Sequence, residues 1–261
     1  MQFEPGTGRE NGRVGSLIGD PVDGKFADYM TSDYGATWSK DTTGHPEVAS
    51  ARNGESIFAA SNYSMILIRN GEFFVTGGST SRARTLELHV KHDPYIFFRF
   101  VGGNIPVRHG ASAGAFSVAA KLGSESMSNS DAARFIERST HDGDVLVVVG
   151  GDYKTPDEPT GTSAFSRDGG LHWLPSQTPP HGYRSAVAYD ADAKTWITVG
   201  TNGTDISTDD GRNWRALHPD AALHEAPDAD RNWNALSLPF VVGPHGRIGK
   251  LNPHALKSAA R

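Results

Sequence analysis

One short pattern, (Ser/Thr)-x-Asp-x-Gly-x-x-Trp, occurs three times in this chain of 261 residues. The copies occupy residues 31–38, 166–173 and 207–214, so three of the five tryptophans end a copy. The Asp carboxylate in such a segment accepts hydrogen bonds from backbone N–H groups of its own turn. The Gly adopts a backbone conformation that a side chain would oppose, and the Trp ring anchors the outgoing strand. The pattern therefore predicts three hairpin turns, each braced by its own side chains.

The spacing of the copies predicts a repeat architecture. Asp168 and Asp209 are 41 positions apart, and Asp33 precedes Asp168 by 135, close to three such steps with an insertion. A period in the low forties is the size of one four-stranded propeller blade. Strand-like runs separated by turn residues recur between the copies and form about five blade-like groups. We therefore expect an all-β β-propeller of four-stranded blades, with its first and last groups incomplete.

Composition and charge exclude several classes of protein. The 30 Gly, 15 Pro and 37% apolar residues suit a turn-rich β domain rather than a helical one. The net charge is −5 and no run of Lys or Arg stands out, so nothing favours nucleic acid or an anionic membrane surface as a partner. The longest apolar stretches, such as 145–149, are too short to span a bilayer. The absence of Cys excludes disulfides, a thiol nucleophile and thiolate metal sites.

The sequence divides into four parts. Residues 1–13 have neither the basic start nor the apolar core of a signal peptide, and we expect them to be disordered. Residues 14–251 are expected to form the propeller. Within them, the polar, Ser-rich segment 121–144 is predicted to be an insertion between two strands of one blade. Residues 252–261 are predicted to be a tail.

The three turns resemble the Asp-box, or BNR repeat, of sialidases, sortilin-like receptors and photosystem II assembly-factor-like propellers. The matching residues are Asp33, Gly35 and Trp38, then Asp168, Gly170 and Trp173, then Asp209, Gly211 and Trp214. The resemblance implies a structural role for these residues, because in these families the boxes lie on blade edges away from the central site.

Further phrases are similar to one subfamily of bacterial BNR propellers, across most of residues 14–251. They occupy residues 19–26, 54–61, 110–117, 150–153, 182–185 and 233–237. Relatives are loosely labelled glycosyl hydrolase or oxidoreductase and often carry a secretion signal. The resemblance implies a sialidase-like superfamily member of periplasmic or secreted location. It also implies a seven-bladed ring, of which this chain would be an N-terminally truncated part.

The recurring phrases fall at the start of each strand group, and the first strand of a propeller blade lines the central channel. Their polar residues are therefore expected to converge on one channel mouth: Asp20, Asp23, Glu55, Ser61, Ser112, Asp152, Tyr153, Tyr183, Arg184 and Asn234. In one interpretation they form a polar ligand site, in which Arg184 clamps an anion while Glu55, Asp152 and Tyr183 hydrogen-bond to the ligand. In the other they face water or brace the loops between blades.

Two functions remain open. The first is a non-catalytic propeller that binds a protein or polysaccharide partner through its channel face. The second is a glycoside hydrolase that uses channel carboxylates, with Glu55, Asp152 and Tyr183 as candidate catalytic residues. A sialidase is disfavoured because the Phe-Arg-Ile-Pro phrase is missing. No dinucleotide fingerprint opens a helix and the His residues are scattered, so no cofactor and no metal are expected.

The braced-turn interpretation predicts a cost in stability. Asp209→Ala, which removes the turn hydrogen bonds, and Trp214→Ala, which leaves a cavity, should each lower the free energy of unfolding by about 1–4 kcal/mol. Thermal or urea denaturation of each variant beside the parent measures this loss. An unchanged melting temperature would contradict the interpretation.

Overall fold

The computed structural model describes residues 2–3, 13, 15–40, 50–58, 63–68, 71–78, 82–89, 103–123 and 143–258. The first sheet contains β1 (Gln2–Phe3), β2 (Gly15–Val22), β3 (Lys25–Thr31) and β4 (Ser39–Lys40). The second contains β5 (Met65–Ile68), β6 (Gly71–Val75) and β7 (Thr85–His89). The third contains β8 (Ala113–Lys121), β9 (Val145–Asp152), β10 (Ser163–Ser166) and β11 (Leu174–Pro175).

The fourth sheet contains β12 (Ala186–Asp190), β13 (Thr195–Val199), β14 (Thr204–Ser207) and β15 (Arg215–Leu217). The fifth contains β16 (Ala235–Ser237), β17 (Phe240–Val242) and β18 (Ile248–Lys250). Two short 3-10 helices, Ala221–Leu223 and Pro244–Gly246, flank the fifth sheet's first strands, and a helix α1 (Pro253–Ser258) follows its last.

The five sheets are arranged as propeller blades. Every sheet is antiparallel and joins strands that follow one another along the chain. The first strands of successive sheets contact each other: β1 contacts β5, β5 contacts β8, β8 contacts β12, and β12 contacts β16. The first strands therefore converge while later strands lie further out, which is the arrangement of a propeller. The expected all-β fold with blade-like sheets is confirmed.

The two ends of the chain contribute to the sheets. Strand β1 lies within segment 1–13 and pairs with β2, so the first sheet has four strands. Residues 253–258, within the segment predicted to be a tail, form α1, and Leu256 is buried against the fourth and fifth sheets. Among the described strands, none of the first sheet pairs with any of the fifth. Most of the predicted insertion, 124–142, lies outside the described residues.

The core lies between the faces of neighbouring sheets, and the third sheet shows this most clearly. All of residues 145–149 in β9 are buried. Because side chains alternate along a strand, Leu146 and Val148 pack towards Phe73 and Val75 of the second sheet. The odd-numbered valines of β9 pack instead with Trp196 and other residues of the fourth sheet. A strand that is apolar on both faces reads as a continuous hydrophobic run in the sequence.

Each predicted turn has the expected bracing, which the turn at 207–214 illustrates. The Ser207 hydroxyl donates to Asp209 Oδ1 at 2.9 Å and accepts from the Gly211 N–H at 3.1 Å. The Gly211 backbone has a φ of 77°, in the left-handed region where a side chain is disfavoured. The turns at 31–38 and 166–173 contain the same hydrogen bonds. We call these three segments the Asp turns.

The Asp turns contain one more brace, which the sequence pattern treated as a variable position. The fourth residue after the Asp donates both its backbone N–H and its side chain to the carboxylate. These pairs of bonds measure 2.9 and 2.6 Å for Thr37, 3.0 and 2.7 Å for His172, and 2.9 and 2.7 Å for Asn213. Thr, His and Asn differ in structure, but each has a side-chain donor that reaches the carboxylate. The three turns therefore have the same hydrogen bond at this position although the residue differs.

The closing Trp rings are anchored to different extents. Trp173 and Trp214 are buried in the packing on either face of the third sheet. Trp214 Nε1 also donates to the Gly211 carbonyl at 3.0 Å and so closes its own turn. Trp38 is only half-buried. The fourth-sheet turn is therefore the most firmly anchored of the three.

The hydrogen bonds of the Asp turns make stability depend on pH. The Thr37 side chain and N–H, with the Thr31 hydroxyl, lower the pKa of Asp33 to about 2. In Asp168 and Asp209, burial raises the pKa, but hydrogen bonds from the turn outweigh it and the pKa of each is lowered. A carboxyl whose pKa is lower in the folded state stabilises the fold above its unfolded pKa and loses that contribution as pH falls.

We therefore expect the free energy of unfolding to decrease between about pH 4 and about pH 2. Urea denaturation over this range measures the slope. Asp33→Asn should flatten it, because the variant has no carboxyl to protonate at that turn. An identical slope in the variant and the parent would contradict the assignment to Asp33.

Candidate functional site

The strand order gathers particular loops at one edge of the sheets. In an antiparallel sheet, the start of the first strand and the end of the second lie at the same edge. The turn between the third and fourth strands lies at the opposite edge. The Asp turns connect β3 to β4, β10 to β11 and β14 to β15, so they lie away from the loops that precede the first strands. We call the edge formed by those loops and the ends of the second strands the inner rim.

Four aromatic rings form one cluster on the inner rim. Phe58 and Phe116 stack with ring centroids 4.3 Å apart and planes 10° apart. The Tyr153 ring is nearly perpendicular to both, with its centroid 6.3 Å from that of Phe58 and 6.2 Å from that of Phe116. The Tyr183 ring forms a T-shaped pair with Phe116, with 4.9 Å between the two centroids. Phe58 precedes β5, Phe116 lies in β8 and Tyr183 precedes β12, so the cluster joins three sheets. We call these residues the rim aromatic cluster.

Two glycines allow the second and third sheets to approach beneath this cluster. Gly77 and Gly114 form an antiparallel bridge. A Cβ on Gly114 would lie 2.3 Å from Gly77 Cα and 3.2 Å from the Phe58 ring. Any side chain at either position would separate the two sheets. The stacking of Phe58 on Phe116 therefore depends on the absence of a side chain at this crossing.

The cluster presents both ring surface and hydroxyl groups to solvent. Tyr153 is 47% exposed and Phe58 is half-buried, whereas Phe116 and Tyr183 are buried. Burial, with the nearby Tyr153, raises the pKa of Tyr183 well above its usual value. Tyr183 is therefore a neutral phenol at physiological pH, able to donate a hydrogen bond. An exposed aromatic ring with a polar edge is a typical contact surface for a ligand.

Polar groups surround Tyr153. Burial raises the pKa of Asp152, but hydrogen bonds from the Lys154 N–H and the Ser112 side chain, with the charges of Arg108 and Lys154, lower it overall. Hydrogen bonds from Thr160 and the charge of Arg108 likewise lower the pKa of Glu158. Both carboxyls are therefore ionised at neutral pH. Among the predicted residues, the structure brings Ser112, Asp152, Tyr153 and Tyr183 together.

Glu55, which the sequence suggested as a ligand-binding or catalytic residue, lies in an internal hydrogen-bond network. It is buried, and its carboxylate accepts hydrogen bonds from Arg84 at 2.8 and 2.7 Å, from Thr76 at 2.7 Å and from the Arg52 N–H at 2.8 Å. Burial raises its pKa, yet these donors lower it overall. A carboxylate with every oxygen occupied braces the second sheet and is not available to a ligand or as a proton donor.

Arg184, which the sequence suggested as an anion clamp, also lies in an internal hydrogen-bond network. Its side chain is fully buried, and Nε donates to Asp205 Oδ2 at 2.7 Å. The other guanidinium nitrogens donate to Asp205, to Asn202 and to the Tyr183 carbonyl. His181 contacts the second oxygen of Asp205 from the solvent side. The guanidinium therefore has no free edge to offer an external anion.

The remaining predicted residues lie elsewhere. Asp20 is exposed and accepts the Ile57 N–H at 2.9 Å, which ties the first sheet to the second. Asp23 lies in the turn between β2 and β3 with a φ of 53°. Asn234 is exposed beside the fifth sheet, where its N–H bonds to the Val242 carbonyl. Ser61 lies outside the described residues.

Sequence reasoning missed Phe58 and Phe116 as site residues, although both lie in phrases that carry the family resemblance. It also missed Arg84 and Asp205, the charged partners of Glu55 and Arg184. The available signal was a charged residue at the beginning of a third strand, with Arg84 immediately before β7 and Asp205 second in β14. A buried charge is costly unless it is paired, so each such residue needs a partner inside the protein.

The strand order, the converging first strands and the Asp turns define an all-β protein of the propeller class. No helix in the described part of the chain is long and apolar enough to cross a membrane. Across the same residues, no group of three or more His, Asp or Glu side chains is placed to hold a metal ion.

No protein-family model matches the sequence, and no curated protein matches it. Several solved structures are similar to this chain, including the following two. One is described as YCF48 bound to D1 peptide, with 10% identity, a TM-score of 0.46, and coverage of 97% of this chain and 70% of that one. The other is the GH74 enzyme of Niastella koreensis, with 14% identity, a TM-score of 0.48, and coverage of 93% and 37%.

The buried pair of Arg184 and Asp205 predicts a large loss of stability when only one member is changed. Asp205→Asn leaves the guanidinium buried without its counter-charge and should lower the free energy of unfolding by about 3–5 kcal/mol. Replacing both, as Arg184→Met with Asp205→Leu, should cost less than the single change. Urea denaturation measures each variant, with Asp192→Asn, in the exposed turn between β12 and β13, as a control. A loss below about 1 kcal/mol for Asp205→Asn would contradict this assignment.

Proposed function

We propose that this chain is a non-catalytic β-propeller that binds a polypeptide partner through the rim aromatic cluster. The observation that supports it best is the exposure of Tyr153 above the stacked pair of Phe58 and Phe116. Rigid aromatic residues with one polar edge supply a large contact area at a low cost in conformational entropy. They are enriched at the centres of protein interfaces for this reason.

The surroundings of the cluster suit an extended peptide. The exposed Tyr153 phenol offers an O–H that can donate a hydrogen bond to a peptide carbonyl. Arg108, Asp152 and Glu158 place charges of both signs around the rings, which suits a partner of mixed charge. The cluster is assembled from three sheets whose backbones already contact each other, so binding requires little ordering of the site.

The glycoside hydrolase alternative has less support. Such enzymes need a general acid whose pKa is raised so that it stays protonated near neutral pH. The candidate carboxyls Glu55 and Asp152, and the neighbouring Glu158, all have lowered pKa values. Glu55 is also fully engaged by Arg84, Thr76 and Arg52. The described carboxylates therefore favour binding over hydrolysis.

A binding screen against an array of random-sequence peptides and an array of glycans tests the proposal. Wild-type protein should bind a subset of peptides, and Tyr153→Ala should weaken that binding at least about tenfold, because an exposed aromatic anchor is lost. Tyr34→Asn serves as the control, since Tyr34 is also exposed but lies in the Asp turn at the opposite edge. This control should bind as the parent does.

The outcomes separate the alternatives. Binding to glycans alone would replace the polypeptide with a polysaccharide partner. Hydrolysis of any glycan that is lost in Asp152→Asn would overturn the non-catalytic assignment. Peptide binding that Tyr153→Ala leaves unchanged would show that the rim aromatic cluster is not the interface.

A further inference from the structure

A second concave site lies between the fourth and fifth sheets, apart from the rim aromatic cluster. It is a cavity of about 300 Å³. Ile197 and Val199 of β13 form one wall, and Leu236 and Val241 of the fifth sheet face them. Ala255 of α1 closes one side. This volume lies at the lower end of the range for pockets that hold small organic molecules.

One acidic side chain stands out in this apolar lining. Asp230 lines the cavity and is only 7% exposed. Its Oδ1 accepts from Arg231 Nε at 3.3 Å. The nearest cationic nitrogen to Oδ2 is His218 Nδ1 at 3.7 Å, beyond hydrogen-bond distance. Among the described residues, none donates a hydrogen bond to Oδ2, so the carboxylate keeps an acceptor unfilled.

The basic residues of the lining do not fill that acceptor. Arg247 stacks on the Trp233 ring with 4.2 Å between its guanidinium carbon and the ring centroid. Its nitrogens donate to the Arg231 and Asp228 carbonyls and pair with the Asp228 carboxylate. The other acid of the lining, Glu225, accepts from the Asp220 N–H and from Asn252. Asp230 is therefore the buried charged group with capacity left for an external donor.

We propose that this cavity binds a small organic cation, an amine with an apolar body. The ammonium group would donate to Asp230 Oδ2, and the apolar body would fill the space between Val199, Leu236 and Val241. A charge-assisted hydrogen bond in a largely apolar cavity is stronger than the same bond at the surface. A neutral alcohol with the same body can donate an O–H but carries no positive charge to pair with the carboxylate, and an anionic molecule is repelled by it.

Phenethylamine is a suitable probe, and isothermal titration calorimetry of the full chain tests its binding. Phenethyl alcohol and hydrocinnamate carry the same ring on a neutral and an anionic end. We expect phenethylamine to bind at least about tenfold more tightly than either. Asp230→Asn should remove that preference, and Ala255→Leu should abolish binding by filling the cavity.

Two controls locate the binding. Asp192→Asn removes an exposed carboxylate in the turn between β12 and β13 and should leave the affinity unchanged. Tyr153→Ala should also leave it unchanged, because the rim aromatic cluster is a separate site. The proposal would be overturned if phenethylamine did not bind at millimolar concentration, or if the three probes bound equally. It would also be overturned if Asp230→Asn kept the preference or Tyr153→Ala lost the binding.

Discussion

Face-to-face packing of the sheets is the constraint on which the rest of this structure depends. The third sheet is covered on both faces, so β9 must be apolar at every position from 145 to 149. Sheets covered in this way fan outwards from converging first strands. The loops before those strands consequently meet at one edge. The rim aromatic cluster forms because the ends of three sheets, where its four residues lie, come together at the inner rim.

Charged residues are also buried where the sheets converge at the inner rim, and they form ion pairs with one another. In the second sheet, Glu55 before the first strand pairs with Arg84 at the start of the third. The fourth sheet has the same arrangement with the charges exchanged, as Arg184 before the first strand pairs with Asp205 in the third. These pairs keep the charged groups of Glu55 and Arg184 inside the protein. The exposed part of the inner rim consists of the Tyr153 ring and the polar groups around it.

The two candidate sites differ in their physical character. The rim aromatic cluster is an exposed surface made by loops of successive sheets, and it suits an extended partner. The cavity beside Asp230 lies between the fourth and fifth sheets, in space that α1 and the segment before β16 do not fill. An exposed ring surface and a cavity with a buried carboxylate suit different ligands, so occupancy of one site does not imply occupancy of the other.

The sequence by itself determined the features whose interactions are local. Each Asp turn is closed within eight residues by its own Ser or Thr, Asp and Gly, and the alternation and length of the apolar runs define the strands. Tertiary structure alone decided which polar residues of the recurring phrases are buried in internal ion pairs. Glu55 and Arg84 are 29 positions apart, and Arg184 and Asp205 are 21 apart, so no local pattern pairs them. The stacking of Phe58 on Phe116 likewise depends on the approach of two sheets at Gly77 and Gly114, because contacts between sheets follow from packing and not from residue spacing.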